Sequence, residues 1–139
     1  MIRVIEGAPG AGKSTYVKDN ATPGDVIIDM DRIATALWVP TSSESHSYPD
    51  TVRVIAREAR NQAVKTAIQI HQSMNRTNVW IIHSNPSPEM RRKYRSVSAR
   101  FVNLDPGIEE CIDRVKTRNP KMARNIIPYI REFYAQRGG

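Results

Sequence analysis

Cysteine is nearly absent from this chain, and the scarcity removes several classes of protein at once. Cys111 stands alone among 139 residues, so no internal disulfide can form, and it has no Cys or His neighbour at metal-ligand spacing. A buried, neutral thiol is the reading that remains. No apolar run approaches the ~18 residues of a membrane span, and the N-terminus reads as a strand, Ile2-Arg3-Val4-Ile5, instead of a signal peptide. The expected compartment is the cytoplasm, with no membrane partner. Acidic residues are in deficit: 14 Asp plus Glu face 21 Lys plus Arg, a net charge of +7. That balance suggests a polyanionic partner, although a merely solvated basic surface has the same composition. Repeats and long low-complexity tracts are missing too. The 40% of apolar residues suffices for one domain with a real core, residues 1–139, near the commonest domain size.

What the chain does carry is a loop for phosphate. Residues 7–15 are Gly7, Ala8, Pro9, Gly10, Ala11, Gly12, Lys13, Ser14 and Thr15, a complete G-x-x-x-x-G-K-[ST] pattern placed between a strand and a helix. Its glycines let successive N–H groups point into one concavity that holds an oxyanion. Lys13 adds a point charge, Ser14 is a ligand for Mg²⁺, and the helix starting near Lys13 presents its positive dipole end to the same phosphates. A nucleoside triphosphate is the ligand this pattern predicts, ATP with Mg²⁺.

Strand and helix signals alternate along the rest, which predicts an α/β fold: a three-layer α/β/α sandwich around a parallel sheet. Strands are expected at 2–6, 26–29, 78–82 and 101–104. Helices are expected at about 13–19, 31–38, 50–73, 88–99, 108–116 and 127–134, the long one with Val52, Ile55, Ala56, Ala59, Ala63, Ala67 and Ile70 as its apolar positions. Arg53, Arg57 and Arg60 form a basic stripe on another face of that helix, either a solvated surface or a ligand wall. Ligands in such sheets sit beyond the carboxyl ends of the strands, so Asp31, His83, Ser84 and Asn85 should gather near Lys13. Thr117 to Pro120 reads as a break before the last helix.

Four segments give the chain a likeness to a known family: the loop from Gly7 to Thr15, Ile28 to Asp31, Val79 to Arg92, and Cys111 to Arg118. Over nearly its whole length it resembles the small P-loop kinases, most of all the kinase domain of phage polynucleotide 5′-kinases. The resemblance implies that Asp31 is the general base and that Arg114 and Arg118, in a lid of about residues 114–125, clamp the transferring phosphoryl group. Phosphoryl transfer needs positioning, cations and one proton acceptor, which Lys13, Mg²⁺, Arg118 and Asp31 would supply. Read without the family, Asp31 could equally cap a helix starting at Arg32, with Asp29 as the other candidate base. Arg114 and Arg118 could be helix surface charges. Two positions depart from the family pattern: Ser84 stands where the kinases carry an aspartate at the end of the third strand, and Ala34 where they carry an acceptor-binding arginine.

For the acceptor site the candidates are Asp29, Arg32, His46, Tyr48, Arg53 and His83. The polar segment between Pro40 and Pro49 is a connection long enough for a binding loop, with His46 and Tyr48 able to stack on a base; a tolerated surface insertion fits the same residues. His83 could instead be hydrogen-bonded under the sheet. The expected function is transfer of the γ-phosphoryl of ATP to a hydroxyl of a nucleic acid, at a 5′ end or a hydroxymethylated DNA base. A nucleoside or nucleoside-monophosphate kinase, or a nucleotide-gated binding module with weak ATPase activity, are the alternatives.

Overall fold

The computed structural model describes residues 1–40, 48–73 and 76–137. Its strands are β1 (Ile2–Glu6), β2 (Val26–Ile28), β3 (Val79–Ile82) and β4 (Arg100–Asn103), and its helices α1 (Lys13–Asn20), α2 (Met30–Leu37), α3 (Asp50–Ile70), α4 (Pro88–Ser96), α5 (Ile108–Arg118) and α6 (Pro120–Arg137). The sheet runs β2-β3-β1-β4 and is parallel throughout, with Val4 of β1 between Ile81 and Phe101. Parallel pairing brings the carboxyl ends of all four strands to one edge, where the loops that follow them collect.

Side chains alternate along each strand, and the alternation sorts the core into two faces. Ile2, Val4, Ile28, Val79 and Ile81 pack against Val64 and Ala67 of α3 and Tyr94 of α4. Ile5, Trp80 and Ile82 turn the other way, onto Val17 of α1. Helices thus cover both faces of the sheet, the expected three layers. A further cluster joins Ala8 and Ala11 of the phosphate loop to Cys111, Ile112 and Val115 of α5 and Ala123, Ile130 and Phe133 of α6. Cys111 is a buried free thiol. Among the described residues no helix is long and apolar enough to cross a membrane.

Three elements differ from their expected form. The last helix begins at Pro120, not near Ile127, and runs through Pro128. Proline is well suited to a first helical position, so the break shrinks to Asn119, with φ −144° and ψ 62°. In α3 the buried positions are Ala56, Val64 and Ala67, whereas Ile55 and Ile70 are exposed. The seam follows the contacts with α2 and the sheet, a choice that apolar periodicity leaves open by about one position. Finally α2 starts at Met30, with Asp29 as its N-cap; the cap is not Asp31.

Candidate active site

The loop between β1 and α1 is held in shape by its neighbours. A Cβ on Gly7 would lie 2.7 Å from the carbonyl oxygen of Leu104, and one on Gly10 would lie 2.6 Å from that of Cys111. Both have positive φ, 151° and 81°, so backbone sterics and crowding require glycine twice over. The Lys13 ammonium donates to the carbonyls of Gly7 at 2.7 Å and Ala8 at 2.8 Å. Burial pulls its pKa down to about 8, against the raising influence of Asp29 and Asp31. Ser14 and Thr15 follow in the first turn of α1 and, with Lys13, line an open cleft of about 1340 Å³.

On one side of the loop the cleft is walled by α5 and α6. Arg114 lies across the loop, donating from Nη1 to the Gly10 carbonyl at 3.3 Å and from Nε to Glu110 at 3.1 Å. Arg118 and Arg124 line the same wall, together with Met122, Ile126, Tyr129 and Phe133. Arg118 is the last residue of α5, so the joint at Asn119 sits between these two arginines. Asn85, beyond β3, reaches Gln136 of α6 at 3.3 Å.

The opposite wall comes from α2 and α3. The Asp29 carboxylate accepts from the backbone N–H of Asp31 at 3.3 Å, which sets the helix start and carries Asp31 into the first turn on the cleft side. Tyr48, itself buried, donates its hydroxyl to Asp31 Oδ1. Its own ionisation is pushed upward, first by burial and then by that carboxylate. Trp38 meets the Tyr48 ring edge-on at 6.3 Å, and the Arg53 guanidinium lies 5.6 Å over it. Arg57 and Arg60 continue the wall from the next turns of α3.

The structure therefore gathers Lys13, Ser14, Asp29, Asp31, Tyr48, Arg53, Ser84, Asn85, Arg114 and Arg118 around one cleft. Two expected residues do not join them. His83 lines a separate hollow of about 60 Å³ with Arg60, Met90 and Tyr94, its Nδ1 2.9 Å from the Tyr94 hydroxyl. Burial, with Arg60 and Arg91 nearby, lowers its pKa to about 4, so it is a neutral ring packed beneath the sheet. The reason is alternation: the strand's last side chains point to opposite faces, and His83 takes the α4 face. Arg32 is exposed and outside the cleft lining, and His46 lies outside the described residues.

The sequence reading passed over Arg124 and Glu6. Arg124 was hidden because its helix was expected to begin later. Glu6 is 3% exposed at the end of β1 and is gripped by Arg91 of α4, at 2.5 and 3.2 Å, and by Arg137 of α6 at 3.4 Å. A carboxylate closing an apolar strand signals a buried charge in need of partners.

Residues 2–126 match the family described as an AAA domain. The chain belongs to that family and has its P-loop kinase-like, nucleotide-binding fold. No curated protein matches it. Among solved structures, a chain of the "Pnkp1/Rnl/Hen1 complex" is similar in fold, with 22% identity and a TM-score of 0.55 over 81% of this chain. The match spans 38% of that chain.

Proposed function

We propose that the protein is an ATP-dependent kinase that moves the γ-phosphoryl group to a hydroxyl of a nucleic acid or nucleotide. The observation that carries this reading is the shared cleft: Asp31 faces the phosphate loop from one wall while Arg118 and Arg124 face it from the other. In this reading the triphosphate lies along the loop and the base rests on the shelf of Met122, Ile126 and Tyr129, with residues of about 114–125 as the lid. The acceptor oxygen forms a bond to the γ-phosphorus as the bond to the β–γ bridging oxygen breaks, ADP leaves, and the hydroxyl proton passes to Asp31. Tyr48 orients that carboxylate, and the arginines spread over the equatorial oxygens stabilise their charge.

The donor set fits a magnesium ion that keeps several waters. Among the described residues no three His, Cys, Asp or Glu side chains cluster as a metal site, which leaves Ser14 as the direct ligand with Asp29 and Asp31 in reach of its waters. Bound there with the nucleotide, Mg²⁺ would neutralise charge on the β- and γ-phosphates. The polyanionic character of the acceptor is supported by the net charge of +7.

The test is γ-labelled ATP offered with 5′-hydroxyl DNA and RNA, hydroxymethylated DNA and free nucleosides. Label should pass to a nucleic acid or nucleotide. Asp31→Asn should keep ATP binding, measured by calorimetry, and lower transfer by roughly two to four orders of magnitude. Wild-type transfer rates in that variant would remove Asp31 as base; ATP binding with no transfer to any acceptor would make the protein a nucleotide-gated binding module.

A further inference from the structure

Arg53, Arg57 and Arg60 lie on one face of α3, and all three line the cleft on the same wall as Asp31. Their span along the helix axis is about 10 Å, from 1.5 Å per residue. The wall is rich in positive charge that the chain itself does not neutralise. Among the described residues, Arg57 and Arg60 have no carboxylate within 4.0 Å, and the only hydrogen bond of Arg60 goes to its neighbour Asn61 at 3.1 Å. Arg53 stands 3.9 Å from Asp50, yet its Nε is buried with no hydrogen-bond partner among the described residues. Burial, with Arg57 adding repulsion, weakens the hold of Arg60 on its proton. The acids facing this wall are engaged elsewhere in part: Asp29 caps α2 and Asp31 accepts from Tyr48.

Guanidinium groups packed side by side without counter-charge raise the free energy of the chain and lower that of an anion placed among them. The other wall has its own cations for the donor, Arg114, Arg118 and Arg124. Helix α2 offers none: Ala34 is fully buried and Arg32 lies outside the lining.

We infer that Arg57 and Arg60, backed by Arg53, bind a phosphate group carried by the acceptor, which makes the acceptor a phosphorylated nucleotide unit and not a plain nucleoside. This rests on the reading of the Asp31 side as the acceptor side. Planar guanidinium forks suit a phosphate's oxygens. The same chemistry occurs in a free nucleoside 3′-phosphate and at the end of a nucleic-acid strand, and the two are separated by experiment.

The probes are a nucleoside 3′-phosphate, a 5′-hydroxyl oligonucleotide and the unphosphorylated nucleoside, each titrated into protein saturated with ADP and Mg²⁺. Wild-type protein should bind the first two at least about tenfold more tightly than the nucleoside, as one good charge-assisted contact provides. The Arg57→Gln/Arg60→Gln variant should lose that advantage while its ADP affinity stays the same. A control with two exposed charges removed outside the cleft, Lys65→Gln/Arg92→Gln, should retain it. The single variant Arg57→Gln, at an exposed helix position, gives the same direction of change should the double variant fold poorly. Tighter binding of the oligonucleotide than the mononucleotide identifies the strand end as ligand; equal binding identifies the mononucleotide. Equal affinity for nucleoside and phosphorylated probes, or loss in the control as large as in the arginine variant, overturns the inference. Because the readout is binding, an absence of transfer would defeat the kinase reading and leave this one standing.

Discussion

Lys13 is an ammonium held between two backbone carbonyls in a loop built to receive phosphate. Its pKa of about 8 lies well below the ordinary 10.5, so it sheds its proton at a pH where other lysines keep theirs. A bound triphosphate would favour the charged form, and binding therefore takes up a proton above pH 8. ATP affinity should be level below pH 8 and weaken as pH rises from 8 toward 10.5; in Lys13→Met it should be weak and flat, as calorimetry at a series of pH values will show. His83 runs in the opposite range. Its folded pKa of about 4 is depressed from 6.5, so the unfolded chain takes up a proton first as the solution is acidified. Stability from His83 is whole above pH 6.5 and is lost as pH falls from 6.5 through 4. Denaturant midpoints should decline less over that window in His83→Gln than in the wild type. An equal decline would mean the ring is more hydrated than its packing on Tyr94 indicates.

At the scale of elements, α2 shows how one carboxylate sets another. Asp29 satisfies a donor at the helix start, and Asp29→Ala should cost about 1 kcal/mol in chemical denaturation, with a further loss of transfer because Asp31 would no longer be fixed. Stability unchanged by that substitution would make the cap incidental. The order of strands and helices was legible in the sequence because each apolar run is short and bounded by turn residues, and the phosphate loop fixed which strand begins the sheet. The start of α6 was not legible. Thr117-Arg118-Asn119-Pro120 looks like a loop in isolation, yet α5 continues through Arg118 and Pro120 opens the next helix, since the packing of Ala123, Ile130 and Phe133 on Ala8 and Ala11 favours an early start. The side of α3 that faces the cleft was equally closed to sequence. Arg53, Arg57 and Arg60 share a stripe on any helix, and only the placement of α2 and the strand ends beside it decides between solvent and ligand.

For the whole molecule the informative residue is Glu6. Its carboxylate is buried at the carboxyl end of β1 and holds Arg91 on α4 and Arg137 on α6, joining the layers of the sandwich beside the site. Removing one partner leaves buried guanidinium groups without counter-charge. Glu6→Gln should lower unfolding free energy by about 3 kcal/mol, read by urea titration, with nucleotide binding intact in the folded fraction. A cost under about 0.5 kcal/mol would mean that water replaces the carboxylate as well as the protein does.

The two walls of the cleft draw on separate stretches of chain, residues 29–60 for the α2–α3 wall and residues 114–136 for the α5–α6 wall, with the phosphate loop between them. Mutational drift in either stretch can thus proceed while the other holds its ligand, so selectivity for one partner can change without rebuilding the pocket for the second. A graft that exchanges only the earlier stretch between members of this family would be expected to transplant acceptor preference and leave nucleotide preference where it was.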